Sequence, residues 1–241
     1  MKALIPMAGQ GSRFTEKGYT FPKPLIDVKG KPMIQVVVES LPQCEEYIFL
    51  CRKEHIEQYA LEVMLNAITN NRATIVSVDN LTEGAACTAL LARQYIDNED
   101  ELLIANSDQY VEIDHRNFQI LRRHTDLDGI VFAFNASHPK WSFVAVNEHW
   151  EVVRVAEKEP ISNIATCGIY YWRTGSSFVH HARQMIQLDQ RVNGEFYIAP
   201  VYQHAIEAAN ATHAKFMLVP FFVSTMAGLG TPEDLDNFLK A

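Results

Sequence analysis

The residues best placed to do chemistry lie near the start of the chain. The stretch MAGQGSRFTEKGYTFPKPL, from Met7 to Leu25, holds Gly9, Gln10, Gly11 and Ser12, then Arg13, then Lys23 between Pro22 and Pro24. Glycine adopts positive φ readily and lets a backbone come close to a ligand. Successive N–H groups in such a loop form a nest for anions. Arg13 offers a planar fork of donors that matches phosphate oxygens. Pro24 pushes Lys23 towards an extended backbone, and Pro22 fixes its own φ, so the lysine is a point charge carried on a stiff segment. The chemistry these types and spacings suit is the binding of phosphate groups. A lone G-x-G is as compatible with a polar surface turn; the two cations at these offsets favour the phosphate reading. The loop departs from both common phosphate templates, with no third glycine of a dinucleotide fingerprint and no G-K-[ST] of a P-loop.

Such a loop needs a rigid element before it, and KALIPM reads as a first strand ending at the glycines. MIQVVVESL reads as a helix with Pro32 near its first turn, YIFLC as a strand, EHIEQYALEVMLNAIT as one helix, ATIVSVD as a strand, GAACTALLARQYI as a helix and ELLIANSD as an apolar strand ending in polar residues. Strands alternating with helices imply βαβ units and a mostly parallel sheet. After IVFAFNA the texture changes: SFVAVNEHWEVVRVAEK alternates about a turn near Asn147 and Glu148, which predicts a hairpin. CGIYYWRT and FMLVPFFV read as strands, APVYQHAIEAANA as a helix, and TPEDLDNFLKA as a last helix with Thr231 as N-cap and Pro232 at its first position. The simplest organisation is one α/β domain over 1–241, with a nucleotide-binding half over about 1–110 and an acceptor-binding half over about 111–241.

Composition narrows the class. The chain is 48% hydrophobic and 21% charged, ordinary for a globular protein with a real core. Its 21 Lys+Arg against 29 Asp+Glu give a net charge of -8, which disfavours nucleic acid as a partner while leaving room for a local basic pocket. Cys44, Cys51, Cys87 and Cys167 are scattered without a CxxC pair and read as buried thiols in a reducing compartment. The N-terminus is not a secretory signal, and no apolar run is long enough for a bilayer. The expectation is a cytoplasmic protein without a membrane partner. The histidines form no H-x-x-x-H or HExxH set, and His180 and His181 read as a pair on a helix surface.

MAGQGSRF, FPKPL and GKPMI together closely resemble the signature of the sugar-1-phosphate nucleotidyltransferases, the nucleotide-sugar pyrophosphorylases. The resemblance implies a Rossmann-like α/β three-layer sandwich with a mostly parallel mixed sheet. It implies a reaction in which a phosphate oxygen attacks the α-phosphorus of a nucleoside triphosphate and pyrophosphate leaves. By that likeness Ala8, Gly9, Gly11, Ser12 and Arg13 hold the triphosphate, and Lys23 neutralises its developing charge. DNLTEGAACTALL resembles the family's base-binding segment, in which Gly84 and Ala85 let the base approach and Asp79 stands where relatives using uridine or thymidine carry glutamine. A plain helix N-terminus fits the same residues. Asp108, ending LLIANSD, matches the family's aspartate and is the Mg²⁺ ligand the resemblance implies, with Asn106 behind it.

On the acceptor side, VAEKEP resembles the family's E-K-P segment, although Glu159 intervenes before Pro160. By likeness Glu157 accepts from acceptor hydroxyls and Lys158 binds the acceptor phosphate; alone, they would pass for a solvated charge pair. TCGIYYW carries Gly168, which permits close approach of substrate, with Thr166 replacing a polar amide. NGEFYIAPVY carries Glu195, a second acceptor-binding acid by resemblance, and Tyr197 and Tyr202 are candidates for pocket wall or core. Trp141 stands where the acceptor half begins. The family's closing W-x-D-I-G-T-P-E-D-L reads MAGLGTPEDL here, so Gly228 replaces a carboxylate that binds metal in relatives. The likeness spans nearly the whole chain and leaves no room within it for an added acyltransferase domain.

The expected activity is transfer of a nucleoside monophosphate, with CTP favoured, to a phosphorylated acceptor such as a sugar 1-phosphate, in capsule or other surface polysaccharide synthesis. A cytidylyltransferase for a non-sugar phosphate, such as a phosphorylated alcohol or amino-acid amide, is the alternative on the same fold. A glycosyltransferase using a finished nucleotide sugar would show D-x-D where this chain has NSD. A non-catalytic sensor would not need both Lys23 and Asp108.

Overall fold

The computed structural model describes residues 1–240. Along the chain β1 (Lys2–Pro6) leads to α1 (Ser12–Thr15), the small ribbon of β2 (Asp27–Val28) and β3 (Lys31–Pro32), α2 (Met33–Ser40), β4 (Glu46–Arg52), α3 (Lys53–Gln58), α4 (Leu61–Ile68), β5 (Ala73–Val78), α5 (Ala85–Leu90), α6 (Arg93–Ile96) and β6 (Leu102–Ala105). There follow β7 (Gln109–Glu112), α7 (His115–Leu121), β8 (Gly129–Asn135), β9 (Ser142–Val146), β10 (Val152–Glu157), β11 (Ile164–Trp172), α8 (Gly175–Gln187), α9 (Ala199–Ala211), β12 (Leu218–Phe222), β13 (Thr225–Gly228) and α10 (Pro232–Lys240).

Among the described residues, nine strands form one mixed sheet in the order β10-β9-β11-β6-β1-β4-β5, with β8 also on β11 and β12 on β8. The pairs β1–β4, β1–β6 and β4–β5 are parallel, as βαβ units require. Strand β11 is antiparallel to β6, β8 and β9. Helices cover both faces. Leu4, Ile48, Leu50 and Ile104 enter one core, and Ala3, Ile5, Phe49 and Leu103 enter the other. Strands buried on both faces read as continuous apolar runs, which is why LIP, YIFLC and LLIA are legible as strands. The α/β sandwich expected from the sequence is the fold observed.

The order also locates the site. The chain runs outward from β1 through β4 to β5, then returns to the other side of β1 as β6. Ligands bind at such a switch point, outside the carboxyl ends of the strands. The glycine loop follows β1 and Asp108 follows β6, so both open at that place.

Some elements differ from the periodic reading. The helix expected over 54–69 is broken into α3 and α4 at Ala60, which takes φ 47. The helix expected over 84–96 is likewise divided into α5 and α6, with Ala92 outside helical geometry at ψ 10. In both cases the apolar period runs through the break, so the pattern hides it. The ribbon of β7 and β13 is invisible as periodicity; it pairs Gln109 with Gly228 and carries the end of the chain back to the site.

Candidate active site

The glycine loop is positioned by β1, whose ladder continues into it: the Met7 N–H donates to the Leu50 carbonyl at 2.9 Å. Gly11 takes φ 63 and caps the single turn of α1. Of the two glycines expected at positive φ, Gly9 is not. A Cβ on Gly9 would meet nothing within 4 Å, so this residue keeps the backbone open rather than turning it. Phe14 is buried against Tyr19, with ring centroids 5.1 Å apart, and this anchors α1 while Ser12 and Arg13 stay exposed. Ala8 is buried.

Lys23, expected on an extended backbone before Pro24, instead begins a 3-10 turn; the extended residue is Pro22, at ψ 146, because Pro24 is tolerated within the first turn. Its Cβ lies 3.2 Å from where a Cβ on Gly11 would be, so the bare backbone of the loop is what lets Lys23 stand beside it. The Lys23 ammonium donates to Asp108 Oδ2. The two residues assigned separately from sequence, one to phosphate and one to metal, therefore meet as an ion pair. The Leu229 N–H donates to the Asp108 carbonyl at 2.7 Å. A Cβ on Gly230 would lie 2.9 Å from Asp108 Oδ2, so glycine there keeps the carboxylate's approach clear.

The side expected from sequence to take an acceptor is built on the β9–β10 hairpin. Ser142 pairs with Glu157 across it, and the Ser142 hydroxyl donates to the Glu157 carboxylate. Burial pushes the Glu157 carboxyl above the ordinary carboxylate range, against the opposing pull of the Ser142 hydroxyl and the Lys158 charge. One step outward, the Lys158 N–H donates to the Trp141 carbonyl at 3.0 Å. Lys158 takes φ 56, and its ammonium reaches the Tyr197 hydroxyl while lying 4.4 Å from that ring's centroid. Thr166 and Tyr170 share a hydrogen bond of 3.0 Å deeper in the wall.

One cavity of about 440 Å³ joins the two sides and is lined by Arg13, Lys23, Asp108, Glu157, Lys158, Gly168 and Ala85 among others. These residues, and Asn106, Trp141, Thr166 and Tyr197 with them, were singled out from sequence and come together here, whereas Ala8, Gly9, Gly11 and Ser12 lie outside the lining. Others fall elsewhere. Asp79 is exposed at the end of β5 and does not line the cavity. Gly84, read as room for a base, takes φ 134, and a Cβ there would overlap the Phe196 carbonyl and lie 2.5 Å from its nitrogen. The space is filled by the protein's own backbone, held by Ala86 N–H to Phe196 O at 2.9 Å. Gly168 lines the cavity, but the group that needs its missing Cβ is the Asn106 amide, 2.8 Å from Cγ. Glu195 is exposed and lies outside the lining. Tyr197 and Trp141 line the cavity, whereas Tyr202 is a core residue stacked 4.2 Å from Trp172. Of the histidine pair only His180 is exposed; His181 packs against Trp172, His204 and Phe216.

The sequence reading missed Lys140, Ser142, Tyr170 and Asp234, all in the lining. Asp234 had a legible local role at the start of α10: the Thr231 hydroxyl accepts from the Asp234 N–H at 3.1 Å and donates to its Oδ2 at 2.8 Å. Nothing local marks the other three.

Among the described residues no group of three or more His, Cys, Asp or Glu side chains is arranged to hold a metal. A magnesium ion needs less: one or two carboxylates, with the rest of its shell from phosphate and water. Asp108 is a carboxylate donor in the cavity beside cations that suit phosphate, so the residues present fit that ion with phosphate and water completing its shell.

The sequence model of the family described as nucleotidyl transferase matches residues 2–219. The bifunctional protein GlmU of Methanococcus aeolicus is 25% identical over 173 residues, 70% of this chain and 39% of that protein. A mannose-1-phosphate guanyltransferase of Schizosaccharomyces pombe is 28% identical over 70% of this chain and 49% of its own length. The chain thus spans less than half the length of these curated relatives. A solved structure of a nucleoside-diphosphate-sugar pyrophosphorylase from Vibrio cholerae superposes with TM-score 0.83 at 23% identity, covering 99% of this chain and 100% of that one, a likeness of fold.

Proposed function

The chain belongs to the nucleotidyl transferase family, and from that premise we propose that it transfers a nucleoside monophosphate from a nucleoside triphosphate to a phosphorylated acceptor, a sugar 1-phosphate, releasing pyrophosphate. The observation that carries this reading is the meeting of Arg13, Lys23 and Asp108 with Glu157 and Lys158 in one cavity at the switch point of the sheet. The triphosphate lies along the 7–13 loop, with Arg13 on its outer oxygens. Lys23 exchanges Asp108 for phosphate oxygens and offsets charge as it develops. Lys158 draws in the acceptor phosphate, and Glu157 accepts from the acceptor's hydroxyls. An oxygen of that phosphate attacks the α-phosphorus, the bond to the β-phosphate oxygen breaks, and pyrophosphate leaves. No covalent nucleophile of the protein is required, and the work is positioning and electrostatics. Asp108 would hold a Mg²⁺ ion, which neutralises charge on the reacting phosphates when bound.

The favoured nucleotide is CTP. An ionised Asp79 only accepts hydrogen bonds; cytosine offers an amino group to a carboxylate, while uracil would set its O4 acceptor against it. This requires Asp79, on the exposed end of β5, to face the base. The product would feed capsule or other surface polysaccharide synthesis.

Pyrophosphate release from the four ribonucleoside triphosphates and deoxythymidine triphosphate, each against a panel of sugar 1-phosphates and other phosphomonoesters with magnesium, tests both levels. Release with CTP ahead of UTP is expected, and Asp79→Gln should shift preference towards UTP. A uridine or thymidine preference in the unaltered protein would overturn the base assignment alone. No release with any pair would overturn the reaction.

A further inference from the structure

Lys140 lines the cavity and has no part in the reaction just described. We propose that it joins Lys158 in a two-lysine clamp for the acceptor's phosphate, and that Asp234 holds it in reserve until that phosphate arrives. The inference rests on the acceptor reading of Glu157 and Lys158.

The hairpin places the two lysines together. Ser142 pairs with Glu157, and at the next position outward Trp141 accepts from the Lys158 N–H at 3.0 Å. Lys140 is one residue further, so both ammonium groups are carried at the same open end of one hairpin. Each is aimed by an aromatic wall: Lys140 Nζ lies 4.6 Å from the Trp141 ring centroid, and Lys158 Nζ lies 4.4 Å from that of Tyr197. Lys158 adopts φ 56, a backbone state that side chains with a Cβ rarely take, and its side chain lines the cavity. The neighbouring tryptophan is seated by a glycine: a Cβ on Gly228 would lie 3.2 Å from Trp141 Cη2, so a larger residue there would displace the ring that carries Lys140.

Charge supplies the rest. Four cations line the cavity, and Lys23 is already matched by Asp108. The Lys140 ammonium is matched by Asp234 Oδ1 at 2.8 Å, across 94 residues of sequence. The lysine side chain is 42% exposed and the aspartate 22%, so a small anion reaches the ammonium without opening the core. A phosphomonoester is close to a dianion at neutral pH, and a single lysine leaves half of that charge unmatched. Two flexible ammonium groups on one side of the reacting phosphate match it and leave its far oxygen free to attack.

The test uses the full chain and methyl phosphate as the probe, with affinity read by ³¹P-detected titration and CTP affinity measured in parallel. Lys140→Met is expected to weaken methyl phosphate about ten-fold, the loss of one charge-assisted contact, as Lys158→Met should, and to leave CTP affinity unchanged. Lys140→Arg should bind like the unaltered protein. Asp234→Asn keeps an oxygen for Thr231, drops the competing charge and should bind methyl phosphate more tightly. Unchanged methyl phosphate affinity in Lys140→Met overturns the clamp. So does a matching loss in Lys140→Arg, a loss confined to CTP, or an unaltered protein that does not bind methyl phosphate. Binding through Lys140 without pyrophosphate release in the screen would sink the reaction and leave the clamp standing; release with an indifferent Lys140 would do the reverse.

Discussion

The two sides of the cavity are built in opposite ways. The side proposed for the nucleotide is backbone and exposed charge: a loop after β1, one turn of helix, and Arg13 and Ser12 facing water. The acceptor side is buried and pre-bonded: Ser142, Thr166 and Tyr170 are 8%, 1% and 4% exposed, and each hydroxyl has a partner within the wall. Backbone donors and long cations recognise phosphate, which is common to every nucleotide, and need little support. Buried hydroxyls around Glu157 recognise one arrangement of polar groups and cost stability unless every one is satisfied. Substitutions on the first side should therefore change rate and spare the fold, and those on the second should change both.

The largest expected effect breaks the comparison cleanly on the nucleotide side. Arg13→Ala and Lys23→Ala should each lower kcat/KM by roughly 10²–10³, with thermal unfolding close to that of the unaltered protein. Near-normal turnover in both would return the loop to a surface turn. Asp108→Asn should abolish magnesium-dependent turnover, since an amide has no charge with which to hold the ion.

Next in size is the seam between the sides. Gly84→Ala forces a methyl into the Phe196 backbone at φ 134. It should cost about 1–3 kcal/mol of stability, read as a lower melting temperature, and should disturb nucleotide and acceptor affinities together. A neutral result would mean that Phe196 can move away, and that the two sides are less rigidly joined than their hydrogen bonds suggest.

A smaller effect sharpens the acceptor side. The Glu157 carboxyl is held above its ordinary value by burial. A carboxyl raised in the fold contributes stability that is present at low pH and lost as pH rises from the ordinary carboxylate range through its raised value. Glu157→Gln should remove that loss, so its stability relative to the unaltered protein should rise across this window in chemical denaturation. Parallel pH profiles would show that burial does not set the group's titration.

The smallest effect lies away from the cavity. His181 is pushed down to about 4 by burial and by the neighbouring His180 and His204. A neutral buried histidine contributes stability that is present above about 6.5 and is lost as pH falls towards about 4. His181→Gln should flatten that acid limb in unfolding midpoints; an unchanged limb would assign it to other groups.

Local chemistry explains what was legible. Gly11 announces itself because a glycine at a strand's end is a conformational statement in itself; the flanking prolines marked Lys23 as carried on a stiff segment, but not that it would begin a 3-10 turn. Helix α9 and the capping of α10 by Thr231 could be read because period and cap are written in adjacent residues. Gly84 and Gly168 were legible as close approaches, but the partner was not: a glycine shows that something comes near, and the sequence cannot say whether it is a ligand, Phe196 or Asn106. Tyr197 and Tyr202 lie five residues apart, one on the cavity and one in the core, because α9 begins between them and turns Tyr202 onto Trp172.

By itself, then, the sequence determined the alternation of strands and helices, the glycine loop with its two cations after β1, and the carboxylate after β6. Each rests on residues within one or two turns of each other, where propensity and backbone constraint act. The tertiary structure alone decided that β6 returns beside β1, so that Asp108 meets Lys23 across 85 residues, and that Lys140 meets Asp234 across 94. Those contacts are set by which apolar faces pack together over the whole sheet. That is a sum over many weak burial terms with no signature at the positions it joins.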